Sequence, residues 1–150
     1  GATRSESVRR GLAAVPEDAT IVCVHDAARP FASPEIFRRV ISAVVDGADA
    51  AVPGIPVVDT IKQVNESNVV VDTPHRETLR AIQTPQAFRA STLRRAHAQG
   101  GEGTDDAYLI EKIGGEVVVV DGEVVNRKIT TPEDLEWAVA HAHRLLNGEV

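Results

Sequence analysis

The sequence predicts an α/β domain on a mostly parallel sheet, with a β-hairpin projecting from it. Three observations carry this. Short apolar runs rich in β-branched residues alternate with segments of helical periodicity along the chain. Residues 57–71 break the alternation with three closely spaced strand-like runs. Hydrophobic residues make up 43% of the 150 positions, enough for a domain that buries roughly 70% of its unfolded surface. Aromatics are only 3%, so Val, Ile, Leu and Ala must build the core.

The elements follow in order. Thr3-Arg4-Ser5-Glu6 is a capping-box pattern, and Val8, Leu12 and Val15 recur at helical spacing until Pro16. Thr20 to Val24 reads as a buried strand ending in His25-Asp26-Ala27-Ala28-Arg29-Pro30. Ser33-Pro34 opens a helix whose apolar face is Ile36, Phe37, Val40, Ile41 and Val44. Ala48 to Val52 is a second strand, broken by Pro53, Gly54 and Pro56. Val57-Val58, Ile61 to Val64 and Val69 to Val71 then form a hairpin turning at Asn65 to Asn68. Leu79 to Gln83 returns as a strand before Thr84-Pro85-Gln86. Helices run from Ser91 to Gln99, stopping at Gly100-Gly101, and from Thr104 to Gly114. Glu116 to Val120 and the shorter Arg127-Lys128-Ile129 are strands. Thr131-Pro132-Glu133-Asp134 caps the last helix.

Several functions are disfavoured. The net charge is −6 and no basic run exceeds two residues, so a general nucleic-acid surface is not expected. No apolar stretch approaches the ~20 residues of a membrane span, and no signal peptide is visible. Cys23 is the only cysteine; its apolar neighbours mark it as a small buried hydrophobe rather than a reactive thiol. His75, His97, His141 and His143 form no coherent zinc ligand set.

In open α/β sheets, ligands bind beyond the carboxyl ends of the strands. The polar clusters fall there: Asp26 to Arg29 after the first strand, Asp59-Thr60 near the hairpin base, Thr84-Pro85-Gln86 after the fourth run, and Thr104 at a helix start. Arg29, Arg76 and Lys128 supply cations, the threonines hydroxyls, and Asp26 a carboxylate. This set suits a phosphorylated substrate with a metal-bound triphosphate. The bland alternatives are an Asp26–Arg29 ion pair, capping threonines and a solvated lysine.

Five strings in one order sharpen the choice. They are Val24-His25-Asp26-Ala27-Ala28-Arg29-Pro30-Phe31; Pro56-Val57-Val58-Asp59-Thr60-Ile61-Lys62; Arg76 with Thr84-Pro85-Gln86-Ala87-Phe88; Thr104-Asp105-Asp106-Ala107; and Lys128-Ile129-Thr130-Thr131-Pro132-Glu133-Asp134-Leu135. Together they resemble the 2-C-methyl-D-erythritol 4-phosphate cytidylyltransferases over essentially the whole chain.

The resemblance implies a Rossmann-like nucleotidyltransferase fold, CTP and a sugar-alcohol phosphate as substrates, Mg²⁺ as cofactor, and a cytoplasmic homodimer. It implies that Arg76 and Lys128 hold the acceptor phosphate as catalytic cations. Asp26, Arg29, Thr60, Thr84 and Thr104 would bind substrate, with Asp26 also beside the metal. Gly1, Ser7 and Ala27 match positions near the nucleotide. Residues from about 55 to 80 would be a dimerisation arm, bringing Thr60 and Arg76 to the neighbour's site. The family's Gly-rich triphosphate loop has no counterpart in this sequence, so the expectation is the C-terminal part of a single cytidylyltransferase domain, inactive by itself. The rival readings are a ribitol 5-phosphate cytidylyltransferase and a non-catalytic binding or dimerisation fragment.

Overall fold

Helix α1 (Arg4–Ala14) starts where Thr3 accepts a hydrogen bond from Glu6 N at 3.1 Å. The computed structural model describes residues 1–100 and 103–148; Gly101, part of the expected helix stop, lies outside them. The far end of α1 is closed by Arg94, whose guanidinium donates to the carbonyls of Leu12, Val15 and Pro16. These carbonyls lie at and just beyond the C-terminal end of α1.

Strand β1 (Ile21–Val24) leads to helix α2 (Pro34–Val45), capped by Ser33, then strand β2 (Ala50–Pro56). A hairpin of β3 (Gln63–Val64) and β4 (Val70–Asp72) follows, then β5 (Arg80–Ile82), β6 (Gln86–Arg89), α3 (Ala90–Ala98), α4 (Asp106–Lys112), β7 (Val117–Asp121) and α5 (Pro132–Leu146).

The α/β architecture is as expected, but the sheet is mixed rather than mostly parallel. β2 pairs in parallel with β7, while the β1–β6, β2–β6 and β2–β5 ladders are antiparallel. The insertion causes this. By reversing the chain after β2, it sends β5 and β6 back along the same edge of β2, and β6 wedges between β1 and β2. β1, β2 and β7 therefore still point one way, and the loops after β1 and β7 meet at one end.

Side chains alternate between two cores, as the period of a strand dictates. Ala50, Val52 and Phe88 face Leu12, Leu93, Leu109 and Ile110, under α1, α3 and α4. Ala51 and Ala87 face Val40 and Val44 of α2.

Several local expectations change. Pro53 does not end β2; Gln83 N donates to its carbonyl at 2.7 Å, so this proline lies beside the interruption between β5 and β6, where a missing ladder bond does least harm. β6 itself reads as loop by pattern. Among the described residues, Arg127 to Ile129 joins no ladder; Ile129 N instead donates to Ala28 O at 2.8 Å. Asp105, not Thr104, caps α4 by accepting from Tyr108 N. Cys23 is exposed rather than buried, because β1 is an edge strand among the described residues. Val57 and Val58 lie outside the hairpin ladder. Among the described residues, no helix is long and apolar enough to cross a membrane.

Candidate functional site

The site begins where β1 runs out of apolar residues. The chain turns at once: Arg29 N donates to Asp26 O at 2.9 Å. Thr84, from the β5–β6 interruption, holds this turn. Its hydroxyl oxygen accepts from Asp26 N at 3.0 Å and lies 3.0 Å from His25 Nδ1. His25 Nε2 lies 3.1 Å from Arg29 O. A carbonyl only accepts, so Nε2 carries the proton in the neutral ring and Nδ1 accepts from the Thr84 hydroxyl.

Asp26 and Lys128 form an ion pair at 2.9 Å, with side chains 23% and 48% exposed. Burial pushes the Asp26 carboxyl up, but the Lys128 hydrogen bond and the charges of Lys128, Arg4 and Arg29 outweigh it and hold it below the usual carboxylate range. Asp26 is therefore ionised at neutral pH. Arg29 is not its hydrogen-bonded partner. The Arg29 guanidinium donates to Asn126 O at 2.7 Å, and burial lowers its pKa against the raising effect of Asp26. The local Asp–Arg pair gives way to a long-range Asp–Lys pair, with the arginine tying down the loop before Lys128.

A cavity of about 470 Å³ opens beside this cluster, between α1 and the end of β1. Arg4, Ser7, Val24, Asp26 and Ala27 are among its lining residues. Gly1 lies against Ser7: a Cβ there would come 2.6 Å from Ser7 N. Arg4 pairs at 2.7 Å with Asp106, whose carboxylate is fully buried and also bonds His97 at 2.9 Å. Thr104 is exposed on the loop before α4.

The structure thus gathers Asp26, Arg29, Thr84 and Lys128, with Ser7 and Ala27 on the adjoining cavity wall. It does not gather Thr60 and Arg76 with them. Those two line a separate cavity of about 340 Å³ with Thr73, Pro74, His75 and Glu77. Arg76 donates to Val58 O at 3.0 Å.

Among the described residues, no three His, Cys, Asp or Glu side chains converge as a metal cage. Asp26 is a single ionised carboxylate. That fits the usual mode of Mg²⁺, which takes one or two carboxylates together with substrate phosphates and water.

Fold and site define an α/β domain with a charged cluster and a cavity at the carboxyl end of β1. The family model for 2-C-methyl-D-erythritol 4-phosphate cytidylyltransferase matches residues 1–144. The enzyme of that name from Nocardia farcinica is 49% identical over 138 residues, which cover 92% of this chain and 60% of that protein. The "Bifunctional enzyme IspD/IspF" of Nitratidesulfovibrio vulgaris is 52% identical over 139 residues, 90% of this chain and 35% of the relative. The crystal structure of the Thermus thermophilus enzyme superimposes with a TM-score of 0.84 at 43% identity, covering 95% of this chain and 70% of that one. The Anaerococcus prevotii 4-diphosphocytidyl-2C-methyl-D-erythritol synthase gives 0.87 at 36% identity. The chain belongs to the 2-C-methyl-D-erythritol 4-phosphate cytidylyltransferase family, and it spans 35% and 60% of the two curated relatives' lengths.

Proposed function

We propose that the protein transfers the CMP portion of CTP to the phosphate of 2-C-methyl-D-erythritol 4-phosphate, releasing pyrophosphate, in non-mevalonate isoprenoid synthesis. The observation that carries this is the Asp26–Lys128 pair, seated on Thr84 at the mouth of the α1–β1 cavity. An acceptor phosphate oxygen attacks the α-phosphorus of CTP, a P–O bond to it forms, and the bond to the β-phosphate oxygen breaks. Charge then grows on phosphate oxygens, so catalysis is chiefly positioning and electrostatic stabilisation.

The assignments follow from the geometry and the family. An ammonium has three donors; the half-exposed Lys128 uses one on Asp26 and keeps others for the acceptor phosphate. Thr84, Thr104 and Arg29 bind or frame that substrate. Gly1, Ser7 and Ala27 bind the nucleotide along α1. Asp26 would hold Mg²⁺ with the triphosphate, and the metal would offset charge on the leaving pyrophosphate. Thr60 and Arg76, apart from this cluster, reach the partner's site in a homodimer joined by the arm. The arm's exposed valines support that: Val58, Val69, Val70 and Val71 are 79%, 58%, 52% and 57% exposed. The substrates are those of a cytoplasmic enzyme.

The relatives' names favour methylerythritol phosphate over ribitol phosphate. Pyrophosphate release from CTP, measured with each alcohol phosphate and with Mg²⁺ omitted on the chain joined to a family triphosphate-loop segment, tests the reading. Turnover with methylerythritol phosphate supports it; turnover with ribitol phosphate alone overturns it, and so does no turnover with either.

A further inference from the structure

We propose that Asn126 is the positioning residue that sets Arg29, Thr84 and Lys128 in register. Asn126 lies in the loop after β7. It is fully buried, whereas Val124 and Val125 before it are 75% and 41% exposed. The turn from Glu123 to Asn126, closed by Asn126 N to Glu123 O at 3.0 Å, thus puts two valines outside and an amide inside. A residue chosen for packing alone would reverse that order.

What the amide does inside explains it. Asn126 Nδ2 donates to Thr84 O at 2.8 Å and approaches Gln83 Oε1 at 3.4 Å. Asn126 O accepts from Arg29 Nη1 at 2.7 Å and from Gln83 Nε2 at 3.2 Å. Two residues on, Lys128 reaches Asp26. The side-chain amide therefore bonds the threonine that holds the Asp26 turn, and the backbone carbonyl of the same residue bonds the arginine of that turn, two residues before Lys128.

This inference rests on the proposed function for its kinetic readout and is independent of it in a second. Asn126→Asp keeps the shape and sets an acceptor against Thr84 O; Asn126→Leu keeps the volume and removes both polar atoms. In folded protein, kcat/KM for the alcohol phosphate should fall at least about tenfold, as for a lost hydrogen bond to a charged group, with the KM for CTP little changed. Independently, the acylation rate of Lys128 by an amine-reactive reagent, read by peptide mass spectrometry, should rise severalfold as its pairing with Asp26 loosens. If both variants lower the melting temperature but leave kinetics and Lys128 reactivity as in the wild type, Asn126 is structural and the proposal falls. If the wild type shows no turnover while Lys128 reactivity rises in either variant, the positioning stands and only the functional reading fails. If either variant is too unstable to purify, the other decides.

Discussion

At the scale of single residues, Asp26 is the most exposed to test. Its pKa is held below the ordinary value in the folded state, net of burial, by Lys128, Arg4 and Arg29. A lowered folded pKa adds stability above the unfolded pKa, and that stability is lost as pH falls through the folded value. Asp26→Asn should therefore be less stable than wild type near pH 7, with the gap closing below about pH 4; denaturant midpoints across that range check it. The same variant should lose most of its kcat and need more Mg²⁺ at saturating CTP. Lys128→Ala should raise the alcohol-phosphate KM about tenfold to hundredfold, from roughly 1.5–3 kcal/mol for a charged hydrogen bond, with CTP binding nearly unchanged in steady-state assays. Asp26, Thr84 and Lys128 are legible as candidates because each polar cluster follows an apolar run or carries a family string. Asn126 is not: its signal is masked by Val124 and Val125, which suggest burial and point outward. Nor is the choice of Lys128 over Arg29 as the carboxylate's partner, since the partners lie far apart in sequence.

The elements were legible where one period dominated. α2, with Ser33 and Pro34 at its start, and α5, with the Thr131–Asp134 capping box, form as patterned. β6 escaped because Pro85 and Gln86 carry turn chemistry, while Ala87 and Phe88 are too few to show alternation. Pro53 misled for a related reason: proline ends a strand only where its missing N–H is needed, and β2 meets no such demand beside the β5–β6 interruption. At this scale the arm is the testable element. Val70→Lys should shift the protein toward monomer in sedimentation velocity, since a charge on a half-buried apolar contact opposes association. Unchanged mass would remove the arm from the interface.

For the whole molecule, the two-cavity arrangement decides how activity is shared. Arg76 donates to Val58 O and lines the arm cavity, whereas Lys128 pairs with Asp26; under the proposed function the two cations meet in one site only across a dimer. Arg76→Ala and Lys128→Ala proteins should each be nearly inactive at low substrate. Mixed and allowed to exchange subunits, they should regain up to about a quarter of wild-type activity, because half of the dimers are mixed and each restores one site of two. No recovery would place both cations in one protomer.

Among the described residues the arm also shares no ladder with the main sheet: β3 and β4 pair only with each other. A lone two-stranded ribbon is marginal in water, so its backbone should behave as a separate opening unit. Deuterium exchange would reveal this. Amides of residues 63–72 should exchange at nearly unprotected rates in dilute, dissociated protein, well before those of β2 and β6. Raising the protein concentration should slow the arm's exchange and leave the β2 amides as they were. The arm would then act as an internal gauge of assembly, reporting the fraction of paired subunits without any label.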